Sequence, residues 1–221
     1  QVKPWVRLSP AALGKYRWSS WQGYGTVYQD AALWFNEGYI DQLTPMHYHW
    51  TTGSAFYDML AGGGSDSWGY WIQAGIDSGR IYTVGPGSYR FSSLNVWDNH
   101  PQVVQASRTV PWVDGFQFFS YGSWRNHDYW EEAKNLFFQN ITKIRAATYL
   151  DDQPPAAPTI VGSKMNSQLY EIEVTPSGPV ENQWFSVYRS EDDLLDPDLD
   201  EIIHIHFGDN LFTCADSISG L

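Results

Sequence analysis

The chain of 221 residues has a single cysteine, Cys214. One thiol excludes an internal disulfide and any zinc site built on cysteine pairs. Basic residues are also scarce. Only 13 Lys and Arg stand against 25 Asp and Glu, a formal net charge of −12. That balance lacks the basic face that nucleic acid or an anionic membrane surface requires, so neither is expected as a partner. It suits a soluble protein with a neutral substrate. No apolar run approaches the ~18–20 residues of a membrane-spanning helix. The sequence opens at Gln1 rather than Met and shows no signal-peptide pattern. A mature, processed or excised piece of a longer protein is therefore expected.

Aromatic residues are abundant: 12 Trp, 14 Tyr and 11 Phe. Many lie beside Gly, Ser and Asn, in loop-like surroundings rather than in core-like runs. The first two thirds of the chain divide into four similar passages, each a strand pattern followed by a helix pattern. The strands are predicted at 5–10, 40–48, 80–85 and 113–121. Helices are predicted near 26–37, 66–77, 100–110 and 128–145. Val27, Ala31, Trp34 and Phe35 form a helical stripe, stopped by Gly38 as a C-cap glycine would stop it. Pro101 suits a first helical position. Asp128 and Glu131 are spaced as a capping box ahead of a stripe through Trp130, Ala133, Phe137, Ile141 and Ile144.

Strands alternating with helices predict a parallel sheet with right-handed crossovers. Four such units are half of an eight-stranded (β/α) barrel, which takes about 250 residues. Residues 1–150 are thus expected to form half a barrel or a smaller open sheet. The passage 151–158, DDQPPAAP, reads as a proline-rich linker. Short alternating strands at 169–174, 184–189 and 201–207 follow, the pattern of an all-β sandwich over 159–221. The acidic run 191–201 reads as a solvated loop, with calcium binding as the alternative.

Three passages, PWVRLSP, YQDAALWFNEGYIDQLTPMHY and VDGFQFFSYGSW, resemble the bacterial glycosyl hydrolase-like family ten, (β/α)-barrel hydrolases of the cell envelope. The family's Q-D-x-x-x-W-x-x-x-G-x-x-D passage leading into P-M-x-Y is matched by Gln29, Asp30, Trp34, Gly38, Asp41, Pro45, Met46 and Tyr48, and the likeness covers residues 4–145. The tail, through PPAAPTI, WFSVYRSEDD and FTCADSISGL, resembles a fibronectin type III-like module that stops before its last strands. The likeness implies the C-terminal half of a TIM-type barrel, with Met46 and Tyr48 facing inward. It also implies a glycan substrate and an extracytoplasmic location: periplasmic, envelope-associated or secreted. The family's acidic, aromatic strand passage has no counterpart here. The longer protein is accordingly expected to be a glycoside hydrolase, and this piece alone to be inactive.

Ligands of (β/α) barrels bind at the C-terminal ends of the strands. Asp41 and Asp114 precede their strands, and Asp128 and Glu131 cap a helix, so all four read as structural. Asp30, in the first turn of a helix at the upper face, is the one catalytic candidate, with complementing the helix dipole as its alternative role. Glycoside hydrolysis uses two carboxylates about 5–10 Å apart. The strand tips offer rings and hydroxyls instead. Tyr48, Trp50, Tyr89, Tyr121 and Trp124 are the candidate substrate-binding residues, since flat rings cover the apolar faces of pyranoses. The alternative is that these rings only cover the barrel top.

Strand alternation puts Met46, Tyr48 and Trp50 on one face and His47 and His49 on the other. A His-x-His metal site is thereby disfavoured, and no metal or cofactor is expected. In the tail, Ile203, Ile205 and Phe207 are expected to be buried and His204 and His206 to face away. No Gly-x-Ser-x-Gly elbow is present. A non-catalytic carbohydrate-binding or scaffold module remains the alternative function. Half a barrel would leave two strand edges open, so a further chain or the other half of the barrel is the expected partner.

Overall fold

The computed structural model describes residues 6–143, 145, 147, 156–166, 169–177, 183–192, 194–196, 200–208 and 210–217. Two compact units emerge: Gln1–Gln139 with Ile144–Asp152, and Asn140–Lys143 with Gln153–Leu221. The linker expected at 151–158 lies largely outside the described residues.

In the first unit four parallel strands, β1 (Ala11–Leu13), β2 (Gln42–His47), β3 (Ile81–Pro86) and β4 (Gly115–Phe116), pair in chain order. This is the sequential parallel sheet expected from the alternating pattern. The helices are α1 (Gly23–Val27), α2 (Ala31–Asn36), α3 (Gly53–Ala61), α4 (Trp68–Asp77), α5 (Ser88–Ser93), α6 (His100–Arg108), α7 (Tyr121–Asn126) and α8 (Trp130–Leu136).

The register places Ala11 beside Thr44, Gln42 beside Ile81, and Thr83 beside Gly115. Alternation then sorts the side chains into two faces. Ala12, Leu43, Tyr82 and Val84 turn to the helices and pack with Phe35 of α2, Phe56 and Leu60 of α3, Trp68 and Ile72 of α4, and Val103 of α6. Leu43, Phe56, Trp68 and Tyr82 are fully buried, each contributing about 1.5–3 kcal/mol of transfer free energy. The opposite face is polar. Thr83 Oγ1 accepts from Gln42 Nε2 at 3.0 Å and lies 2.6 Å from Thr44 Oγ1. Gln117 Nε2 also donates to Thr83, at 3.4 Å.

Several expected elements differ. The first strand lies at Ala11–Leu13, not 5–10. The helix expected over 26–37 is two, because Tyr28 takes a left-handed φ of 59° and caps α1. Gly38 does end α2, at φ 77°, with the Arg80 guanidinium occupying the space a Cβ would fill. Helices α3 and α5 were not expected. Pro101 sits in the first turn of α6, as anticipated. The fourth strand shrinks to Gly115–Phe116, because Ser120 already caps α7. The capping box fails: Asp128 has φ 48°, and the N-cap of α8 is Tyr129, without a side-chain hydrogen bond. That helix ends at Leu136, so Ile141 lies outside it and is exposed; Ile144 lies outside the described residues.

The second unit is antiparallel. β5 (Thr159–Asn166), β6 (Leu169–Thr175) and β9 (Phe212–Ser217) form a sheet in the order β5-β6-β9. β7 (Trp184–Arg189) pairs with β8 (Glu201–Phe207). β5 and β9 were not expected. The facing of β8 is the reverse of the expectation. His206 stacks on buried Phe212 at 4.1 Å and His204 lies 5.8 Å from it, whereas Phe207 is half exposed against Trp184. Arg189 joins the strands through Glu201 and Asp216.

Candidate functional site

A hollow of about 400 Å³ opens at the C-terminal ends of β1 and β2. Leu13 and Met46, partners in register, form its strand-end wall. The loop after β1 brings Lys15, Trp21 and Gln22; the turn after β2 brings Tyr48 and His49; the first turn of α5 brings Tyr89 and Arg90. Tyr48 meets Tyr89 edge-on at 5.5 Å and stacks on Phe119 at 5.5 Å. Gly87 permits this, since a Cβ there would meet the Tyr48 ring at 2.8 Å. Tyr48 and Tyr89 are thus fixed at one edge of the hollow, with Phe119 packed against both.

Charge in the hollow runs against the bulk composition. Lys15, His49 and Arg90 line it, and no Asp or Glu does. Burial, then Lys15 and Arg90, hold the His49 pKa below its usual value. Burial, then Tyr89, raises that of Tyr48.

Of the sequence candidates, Tyr48 and Tyr89 come together here. Tyr121 and Trp124 line a second hollow of about 410 Å³, with Phe116, Phe118, Trp130 and Phe138. Trp124 is only 6% exposed there. Trp50 does not share Tyr48's side. β2 ends at His47, and Tyr48 N–H turns back to the Met46 carbonyl at 2.8 Å, so strand alternation stops there. Trp50 instead packs with Trp18 and His47 at the helix-side core. For the same reason His49 lines the hollow rather than following His47. Lys15, Trp21, Arg90 and Phe119 were not singled out from the sequence. For Lys15 and Trp21 the aromatic loop LGKYRWSSWQGYG was the available signal.

Asp30 caps α2, accepting from Leu33 N–H at 3.2 Å, and also accepts from the Tyr16 hydroxyl. Burial, then this bond to Asp30, raises the Tyr16 pKa. Asp30 does not line the hollow. Asp41 and Asp114 lie at the strands' N-terminal ends. Asp41 accepts from Leu8 N–H at 2.7 Å, and Asp114 from Tyr82 N–H at 2.9 Å.

His47 is fully buried. Its Nδ1 accepts from Gly85 N–H at 3.2 Å, so Nε2 carries the proton and donates to Tyr82 Oη at 3.0 Å. Burial pulls its pKa down to about 3. A Ser–His pair also exists: Ser88 Oγ lies 2.9 Å from His100 Nε2, whose Nδ1–H donates to the Trp97 carbonyl. Both side chains are fully buried, and Trp124 Nε1–H donates to the same Ser88 oxygen at 2.8 Å. The pair therefore locks α5, α6 and α7 together and presents no nucleophile. Among the described residues no three His, Cys, Asp or Glu gather as a metal site, and no helix is long and apolar enough to cross a membrane.

These features define an α/β unit with a sequential parallel sheet and an aromatic, cationic hollow at its strand ends, followed by antiparallel sheets. No family model matches the chain, and comparison with curated proteins and with solved structures finds no match either.

Proposed function

We propose that this chain binds a polysaccharide in the hollow above β1–β3, as the substrate-binding part of an envelope glycoside hydrolase. One observation carries the reading. Tyr48, Tyr89 and Trp21 border an open hollow at the strand ends, beside hydrogen-bonding side chains, and none of the lining residues is a carboxylate. Rings of this kind stack on sugars, whereas hydrolysis needs an acid and a base or nucleophile together. Binding is therefore the role of this hollow. The finer architecture belongs to the same proposal: half of a (β/α) barrel, joined to a fibronectin type III-like module, in an extracytoplasmic protein. Affinity electrophoresis through gels containing soluble polysaccharides tests it. Retardation that is lost in Tyr48→Ala supports the reading; unretarded migration in every neutral and acidic polysaccharide would end it. Reducing-sugar release by the chain alone should be absent.

The hydrogen bond from Tyr16 to Asp30 favours a second reading, in which Asp30 is one catalytic carboxylate of the hydrolase. Asp30→Asn separates the two. A large loss of turnover with unchanged saccharide affinity supports catalysis, whereas a cap alone costs about 1 kcal/mol of stability when removed.

A further inference from the structure

Building on the saccharide reading, we infer that the bound sugar is acidic, its carboxylate or sulfate ester held between Lys15 and Arg90. The chain carries nearly two acidic residues for each basic one. The hollow inverts that ratio, with Lys15, His49 and Arg90 and no acid among its lining. Neither Lys15 nor Arg90 forms an ion pair among the described residues. Among the described residues the Lys15 Nζ hydrogen-bonds only to Ser20 Oγ, at 3.5 Å. The two cations belong to different segments, the β1 loop and α5, so one helix surface does not account for their meeting. Their fields overlap at His49, which both act upon.

Two cations that line one hollow, with no ion pair among the described residues, repel, and a bound anion relieves that repulsion. Arg90 supplies a planar fork suited to an oxyanion and Lys15 a point charge. Tyr48 and Tyr89 then take the ring of the same sugar. Net charge alone would predict a neutral ligand, so an anion bound here would depend on these local cations.

Calorimetric titration tests this with matched pairs of probes. Hexagalacturonate is compared with its fully methyl-esterified form, and a sulfated galactan hexasaccharide with its desulfated form. At low ionic strength an acidic member should bind at least about tenfold more tightly than its neutral twin, and the difference should shrink as salt is added. The pair showing the preference identifies carboxylate or sulfate. In Lys15→Gln/Arg90→Gln the ratio of acidic to neutral affinity should fall to about one. Equal binding of acid and neutral twins overturns the inference and leaves the saccharide reading intact. A preference that survives in the double variant also overturns it. If no probe binds, the inference fails, and the saccharide reading is decided by the electrophoresis. Should the double variant not fold, the salt dependence of the wild-type preference decides.

Discussion

His47 shows how a single residue can set the pH range of the fold. Its pKa falls from 6.5 to about 3 on burial beside Tyr82. Between those values the unfolded chain binds a proton that the folded chain does not. Stability is therefore full above pH 6.5 and is lost as pH falls toward 3. At pH 5 the loss from His47 is about 2 kcal/mol. Urea titrations across this range should show His47→Gln with a shallower dependence, by about one proton, than the wild type. The aromatic residues divide in a similarly measurable way. Tyr48→Ala should weaken polysaccharide binding by roughly 5–30-fold with little change in melting temperature. Trp124→Ala should cost about 3–5 kcal/mol of stability, because that ring is buried and holds Ser88. Tyr48 and Tyr89 were legible in the sequence because strand tips can be found from strand patterns. Trp50 and His49 were not, because period-two alternation says nothing of where a strand ends. The burial of Trp124 was not legible, because a position after a strand does not say which side of α7 the ring takes.

At the level of elements, the Asp before a strand is the recurrent device. Asp41 and Asp114 each receive an N–H from the preceding strand segment, and each returns its own backbone N–H to the carbonyl of that same residue. Arg145 adds a two-point ion pair to Asp114, at 2.5 and 3.1 Å. Asp114→Ala leaves the Tyr82 N–H and the Arg145 guanidinium without this acceptor, and should cost about 1–3 kcal/mol. Thermal melts of Asp114→Ala and Arg145→Ala measure it, and the double variant should lose less than the sum of the singles. The structural role of these two carboxylates was readable from their place before the strands. Helix α3 was missed, although Phe56, Met59 and Leu60 form an apolar stripe behind Thr52, whose side chain accepts from Ala55 N–H as a cap. By contrast, the break at Tyr28 rests on a left-handed backbone that no propensity announces. In the tail, mixed residues on both sides of β8 left no clean alternation to follow, and the half-buried His204 and His206 took the side against Phe212.

For the whole molecule the open question of physics is the sheet's margin. β1 and β4 end the four-strand order, and among the described residues no further strand pairs with either. Exposed strand edges recruit other edges. Sedimentation equilibrium between low-micromolar and submillimolar concentration should show the apparent mass rising above the 25.2 kDa of one chain. A constant monomer mass would mean that the edges need no second chain. The sequential parallel sheet itself was legible from four repeated patterns, because period-two and period-3.6 stretches alternate clearly. The hollow's charge was not, since net composition averages over the whole chain and Lys15 and Arg90 come to line one hollow only after folding.

The chain-order pairing of the four strands also bears on how the protein is made. Ala11 meets Thr44, Gln42 meets Ile81, and Thr83 meets Gly115, so each pairing joins neighbouring passages. No strand has to wait for a distant one. During synthesis the second strand can dock on the first as soon as it leaves the ribosome, and every later passage adds to an existing edge. Loop-closure entropy grows only slowly with length, so the three closures have similar cost. Assembly can therefore proceed vectorially, one passage at a time, in the direction of translation.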